Sequence, residues 1–265
     1  MIACAQARFI RTVPRPHLNV FDTASGFRWN PRASVMSYLK RVQYILRNHG
    51  PKAVVAKFFG IAADRWFDWR HGTDDRTPRQ LDSYTIVGDT RKNSTSYGAS
   101  RMLPLKGLFR LLRQRSFGRG VLVDFGCGNG KVLLVAAHCG YRPVRGVEFA
   151  RELCELAQRN WESYCQRTGA AVGDGEFLAA DVSVYDLRPD ETMYFLYHPF
   201  DEVILRKVLA NISASMRTHP RAAAIIICNP TPPYQAVMRE QKDFPHHQQV
   251  RIWGYPYFIY ANRPD

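Results

Sequence analysis

From residue 120 onward, short apolar runs alternate with helical periodicities. Runs at 120–125 (Gly-Val-Leu-Val-Asp-Phe), 144–148, 176–179, 192–197 and 222–228 predict strands, with helices between them at about 129–139, 150–166 and 201–217. Short, continuously apolar strands separated by helices predict a parallel sheet covered on both faces. Near the end, Val250-Arg251-Ile252-Trp253 and Tyr257-Phe258-Ile259-Tyr260 flank Gly254 and Pro256, the pattern of a terminal hairpin. The pattern predicts an α/β protein with a seven-stranded, mostly parallel sheet ending in an antiparallel C-terminal hairpin.

The first part of the chain reads differently. Residues 1–34 lack a clear period. Val35, Tyr38, Leu39, Val42, Ile45 and Leu46 then recur at helical spacing. Gly50 and Pro51 end that helix and start another, whose apolar stripe is Val54, Val55, Phe58, Phe59 and Ala62. Such basic amphipathic helices either lie on a membrane surface or pack onto their own domain, and packing is the expectation. From Trp66 to Ser100 the chain reads as loop, with Gly72, Pro78, Gly88 and Gly98. A further helix carries Leu105, Leu108, Phe109 and Leu112 on one face and Arg110, Arg113 and Arg115 on another. This divides the chain into a basic helical N-terminal extension, 1–90, and an α/β domain, 91–265.

Charge sharpens that division. The chain has 37 Lys and Arg against 23 Asp and Glu, a net +14. Residues 1–119 carry a net +15 and residues 120–265 a net −1. Between Asp89 and Asp124 there is no acidic residue, whereas Arg91, Lys92, Arg101, Lys106, Arg110, Arg113, Arg115 and Arg119 lie there. The bias fits either nucleic acid or another acidic partner, or a solvated basic face. No apolar run approaches the roughly 20 residues of a membrane span. Arg8, Arg11 and Arg15 interrupt any secretory core; an organellar transit peptide is weighed against a plain cytoplasmic N-terminus, and the latter is expected. The six cysteines form no C-x-x-C pair and no zinc spacing, so free thiols and no metal site are expected.

Candidate chemistry begins where the first strand ends, in Asp124-Phe125-Gly126-Cys127-Gly128-Asn129-Gly130-Lys131. Alternate glycines let a backbone turn tightly and approach a ligand. A strand, a glycine turn and a helix form the usual nucleotide-site geometry of open α/β sheets. Lys131 replaces the third glycine of a dinucleotide fingerprint, and no Gly-Lys-Ser/Thr of a phosphate loop follows. The second strand ends in Glu148, 22 positions after Gly126, suited to accept from ribose hydroxyls. Phe149 can lie against a purine face. Asp181 follows the third strand and can accept from an adenine amino group.

In this order, Val-Leu-Val-Asp-Phe-Gly-Cys-Gly-Asn-Gly, Gly-Val-Glu-Phe and Ala-Ala-Asp resemble class I S-adenosylmethionine-dependent methyltransferases over about residues 91–265. The resemblance is nearest to a largely uncharacterised bacterial group. There a His-Gly-Thr-Asp-like segment precedes the core (here Arg70-His71-Gly72-Thr73-Asp74). The fourth strand of that group ends in Tyr-Asn-Pro-Phe, here Tyr197-His198-Pro199-Phe200. The resemblance implies a Rossmann-like fold and S-adenosylmethionine as cofactor. It places the cofactor at Gly126, Gly128, Gly130, Glu148 and Asp181, with Asp124 orienting the turn and the cofactor amino group. Tyr97 would cover the methionine end.

His198 departs from the Asn usual in that turn, which puts adenine amino methylation in doubt. His198 could act as a base or cap backbone groups. Pro199, Phe200 and Asn229 could line an acceptor pocket, and Asp201 reads as a helix N-cap. The acceptor, whether protein, nucleic acid or small molecule, is left open. The competing readings are a nucleotide-dependent oxidoreductase and a nucleic-acid-binding protein with an inactive methyltransferase-like core.

Overall fold

The computed structural model describes residues 31–74, 84–88 and 100–264. The chain divides into two compact units, Met1–Lys40 and Arg41–Asp265, and the sheet and candidate site belong to the second.

Seven strands form one sheet in the order β3-β2-β1-β4-β5-β7-β6. They are β1 (Val121–Phe125), β2 (Val144–Glu148), β3 (Gly175–Ala179), β4 (Glu191–Leu196), β5 (Ala224–Cys228), β6 (His246–Ile252) and β7 (Tyr255–Ala261). β1 to β5 pair in parallel, and β7 runs antiparallel between β5 and β6. The seven-stranded, mostly parallel arrangement with its terminal hairpin is as the sequence predicts. β6 begins earlier than Val250. Its first residues, His246-His247-Gln248-Gln249, are polar and lie on an exposed edge, so no apolar alternation marks them.

Helices cover both faces because β1 alternates between them. Leu122 packs with α2 (Met102–Leu112), α3 (Lys131–His138) and α4 (Arg151–Thr168). Val121, Val123 and Phe125 pack with α5 (Glu202–Thr218) and α6 (Pro232–Arg239). Asp201 caps α5, its Oδ1 accepting from the Val203 and Ile204 amides at 3.1 Å. The sequence reading leaves α6 unassigned. Its Pro232-Pro233 start is nevertheless a proper helix N-terminus, and Tyr234, Val237 and Met238 form its buried stripe.

α1 (Pro31–His71) is broken at Gly50, whose φ of 77° and ψ of 174° lie outside the helix, with Pro51 immediately after. The Gly-Pro boundary is thus in place, but the second segment runs on to His71 through residues expected to be loop. Asp64, Phe67, Asp68 and His71 recur at helical spacing and turn toward the core, where Phe67 is 1% exposed. The predicted stripe is the other face: Val55, Phe58, Phe59 and Ala62 are exposed, and Phe59 stacks on Trp253. Packing therefore uses the face opposite to the one the period suggested. Among the described residues no helix is long and apolar enough to cross a membrane.

Candidate cofactor site

Strand order reverses between β1 and β4, since the chain leaves β1 for β2 and β3 before returning to β4 on the other side. Ligands of open α/β sheets bind in the crevice at the carboxyl ends of such strands. Both predicted turns meet there. Gly126, Gly128 and Gly130 have φ of 77°, 53° and 82°, the left-handed region that glycine enters without steric cost. A Cβ on Gly126 would lie 2.4 Å from Cβ of Pro199, so this close approach of the first and fourth turns requires glycine. Gly130 admits Ala157 and the Phe177 ring in the same way, at 3.1 and 3.2 Å. It supplies the close packing for which a third dinucleotide glycine is otherwise used.

Two carboxylates sit under the turn. The Glu148 side chain is buried; its Oε2 accepts from the Gly128 amide at 2.8 Å and its Oε1 from the Ala150 amide at 3.0 Å. Each oxygen keeps a lone pair for a ligand hydroxyl. Burial raises its pKa against the opposing pull of those amides. Asp124 is also buried, and its Oδ2 has no hydrogen-bond partner among the described residues. Burial, aided by the Glu148 charge, holds its pKa well above the usual carboxylate range. Buried polar atoms are nearly always paired, so an orphan at a ligand crevice marks where a donor is received. The same two charges and burial raise the Cys127 thiol, which lies against Gly146.

The Arg70-His71-Gly72-Thr73-Asp74 segment clamps the turn from outside. The Asp74 carbonyl accepts from Asn160 Nδ2 at 3.0 Å, and the Asp74 amide donates to Asn160 Oδ1 at 2.8 Å. Asn160 Nδ2 also reaches the Asn129 carbonyl at 3.0 Å. His71 is buried and donates Nδ1–H to the Phe67 carbonyl at 2.9 Å; burial lowers its pKa. Lys131, the residue that breaks the dinucleotide pattern, is buried, ion-paired with Asp68 and set over the Phe67 ring at 4.8 Å. It is thus committed to α1. The sequence reading missed Asp68 and Asn160. Asn160 had a visible signal, a polar residue on the apolar face of α4 with Leu153, Cys154, Ala157, Trp161 and Tyr164.

Residues 84–88 cover the ends of β2 and β3. The Val87 amide donates to the Phe149 carbonyl at 2.8 Å, and the Arg151 amide to the Thr85 carbonyl at 3.0 Å. Tyr84 lies near enough to Glu148 for that charge to raise its pKa, after burial. A Cβ on Gly88 would strike Asp181 at 2.6 Å. Asp181 Oδ1 accepts from the Ser183 amide at 2.8 Å, capping the short turn Val182–Val184. Behind this segment a slot of about 20 Å3 is lined by Gly126, Phe149, Ala180, Val182, Pro199 and Phe200, among others. The slot is narrower than a purine, so a base entering it must part these side chains.

No family model and no curated protein matches the sequence. Solved structures do resemble the model. A SAM-dependent methyltransferase of Aquifex aeolicus matches at 15% identity and TM-score 0.45, over 60% of this chain and 89% of its own. An RNA methyltransferase of Salinibacter ruber, in complex with S-adenosyl-L-homocysteine, matches at 18% and 0.42, over 61% and 92%. A presumptive O-methyltransferase of Nostoc punctiforme matches at 14% and 0.47; this chain covers 60% of itself in the match but only 55% of that protein. The fold assignment rests on the strand pairing, independently of these similarities.

Pro199 and Phe200 of the fourth-strand turn line the slot, and His198 does not. His198 has φ of 51°, a conformation costly for a non-glycine residue and least so for Asn or Asp. Its ring lies 4.9 Å from that of Tyr234, and burial lowers its pKa while Glu202 pulls the other way. Phe200 is buried in the core, its carbonyl accepting from the Tyr234 hydroxyl at 2.6 Å. Asn229, at φ 51°, is exposed past β5, its amide donating to the Pro256 carbonyl at 2.8 Å; it does not line the slot. The structure brings Asp124, Gly126, Gly128, Gly130, Glu148, Phe149, Pro199 and Phe200 together, with Asp181 at the rim. Tyr97 lies outside the described residues.

Proposed function

We propose that this chain transfers a methyl group from S-adenosylmethionine to an acceptor. The observation that carries the reading is the buried, unpartnered Asp124 Oδ2 beside Glu148 at the glycine turn. Two buried carboxylates make this crevice favourable to a cation and unfavourable to a pyrophosphate. S-adenosylmethionine brings an ammonium, a sulfonium and a ribose diol; a dinucleotide brings two negative phosphates to the same place. Asp124 would receive the ammonium and Glu148 the diol, with Phe149 and Val182 against the base and Asp181 near its amino group. The oxidoreductase reading is thus disfavoured by charge. The intact turn and its paired carboxylates weigh equally against an inactive core.

When bound, the cofactor supplies a methyl group already activated on sulfur, so the chain's own task is alignment and exclusion of water. Gly126 and Pro199 bring the fourth-strand turn against the cofactor crevice. His198, its pKa lowered, is neutral at pH 7 and able to accept a proton from an acceptor that must lose one.

Glu148→Gln keeps one acceptor oxygen but turns an NH2 toward one of the two amides that Glu148 holds, so circular dichroism should accompany the titration to show that the fold is retained. Losing a charge-assisted hydrogen bond costs on the order of 1.5–3 kcal/mol, so S-adenosylhomocysteine should bind at least about tenfold more weakly by calorimetry. Equal affinities in wild type and variant would remove Glu148 from the site.

A further inference from the structure

At the opposite edge of the sheet, where β1 and β2 begin, α2 and the end of α3 enclose an open cleft of about 900 Å3. Its walls carry Lys106, Arg110, Arg113, Arg142 and His138, and no carboxylate. Several guanidinium groups elsewhere meet acids, and others, Arg167, Arg221 and Arg251, donate to backbone carbonyls. Arg145 meets Glu176, Asp190 and Glu191; Arg188 meets Glu176; Arg206 meets Glu240; and Arg101 meets Asp64. Among the described residues, none of the four cleft cations makes such a pair.

Part of this arrangement has a structural cause. Arg113 Nη1 donates to the Cys139 carbonyl at 3.3 Å, and cations suit a helix C-terminus. Gly140, at φ 90°, lets that guanidinium approach to 3.2 Å of where a Cβ would stand. This accounts for Arg113, and Arg142 lies within hydrogen-bond reach of the Tyr164 hydroxyl, which leaves Lys106 and Arg110. Lys106 and Arg110 both act on the His138 imidazole, lowering its pKa after burial, so their charges converge on one place without compensation. Converging, unpaired cations in a concavity favour a ligand with several negative charges spaced along it.

We propose that this cleft binds the phosphodiester backbone of a polynucleotide strand, which, resting on the methyltransferase reading above, makes a nucleic acid the methyl acceptor. A polynucleotide is favoured over a small anion because the cleft is open and its volume of about 900 Å3 far exceeds one phosphate. It is also favoured because the basic excess of the sequence, net +15 over residues 1–119, is larger than the cleft cations supply. The reach is adequate. Five-residue strands at ~3.3 Å per residue separate the two edges by ~17 Å, which a stacked strand at ~3.4 Å per nucleotide covers in about five nucleotides. Backbone contacts position a strand without reading its sequence, so the cleft would hold the acceptor while the His198-Pro199-Phe200 turn addresses the reacting base or sugar.

The test uses the full chain and a fluorescein-labelled 20-nucleotide uridine RNA, followed by anisotropy from 50 to 300 mM KCl. Wild type should bind, with affinity falling steeply with salt. Lys106→Gln/Arg110→Gln should bind roughly tenfold more weakly, and its log–log salt slope should be shallower by about 1.4, from two lost contacts at ~0.7 each. Arg142→Gln should shift both in the same direction by about half as much. Neither variant should alter S-adenosylhomocysteine affinity by calorimetry, since the cleft lies at the other edge. Unchanged RNA affinity and slope in the double variant would overturn the proposal. So would displacement of the RNA by inorganic pyrophosphate at equal phosphate concentration, or equally tight binding of polyglutamate. RNA binding that depends on Lys106 and Arg110 in a protein that fails to bind S-adenosylhomocysteine would support the cleft and overturn the methyltransferase reading instead.

Discussion

Asp124→Asn is expected to make the protein more stable and, at the same time, a much poorer cofactor binder. Above its raised pKa, Asp124 is a buried carboxylate with one oxygen unpaired among the described residues. Leaving a buried polar group unsatisfied costs on the order of 1–3 kcal/mol, and more if it is charged. The amide removes the charge, so thermal unfolding should shift upward by about 2–4 °C per kcal/mol for a domain of this size. The pH dependence follows from the sign of the shift. Folding raises the Asp124 pKa. Above that raised value the ionised group destabilises the fold. As pH falls through it, the folded state takes up a proton and stability is regained, until the unfolded chain also protonates near its ordinary value. Asp124→Asn should lose this component of the profile. It should also lose the ion pair to the ligand ammonium, weakening S-adenosylhomocysteine about a hundredfold. A variant no more stable than wild type that binds equally well would show that Asp124 serves the fold and not the ligand.

His198 carries the second large effect, on turnover. A positioned general base contributes typically 10²–10⁴-fold. His198→Ala should therefore lower kcat by about that factor while leaving S-adenosylhomocysteine affinity nearly unchanged. Because burial lowers the imidazole pKa, wild-type kcat should hold to lower pH than an ordinary imidazole allows and then fall as the ring takes up a proton. His198→Asn separates the two roles. Asn occupies φ of 51° at lower cost than His, so this variant should be at least as stable as wild type. If the ring removes a proton, Asn should be as slow as Ala and show no acid limb, since an amide cannot act as a base. An Asn variant retaining wild-type kcat and its acid limb would show that the side chain only positions the acceptor.

The sheet was legible because its parallel strands are short, mostly apolar runs separated by helical periods. The alternation of Leu122 with Val121 and Val123 between two cores is the physical content of that pattern. The glycine turn was visible for a similar reason: three alternate glycines after a strand and an acid 22 positions on mark a candidate ligand turn. What failed lay where tertiary contacts override periodicity. Val55, Phe58 and Phe59 form the more apolar stripe of α1, but the domain binds the face of Phe67, Asp68 and His71 because Lys131 and Tyr164 wait there as partners. The 84–88 cover was invisible since it is held largely through its own backbone amides and carbonyls, to Phe149, Arg151 and the Glu152 carboxylate, which no side-chain pattern within it reports. The closeness of Gly126 to Pro199 likewise joins residues far apart in sequence. The unpaired state of Asp124 also needed coordinates: an acid in an apolar strand is readable, but whether both its oxygens are satisfied is not.

The central claim is that this crevice, built around two buried carboxylates, takes a cationic adenosyl ligand rather than a dinucleotide. Calorimetric titration of the wild-type chain with S-adenosylmethionine and with NAD at pH 7 tests it most directly. The account predicts saturable one-to-one binding of S-adenosylmethionine and no measurable NAD binding at the same concentrations. NAD binding as tight as that of S-adenosylmethionine, or no S-adenosylmethionine binding, would contradict it.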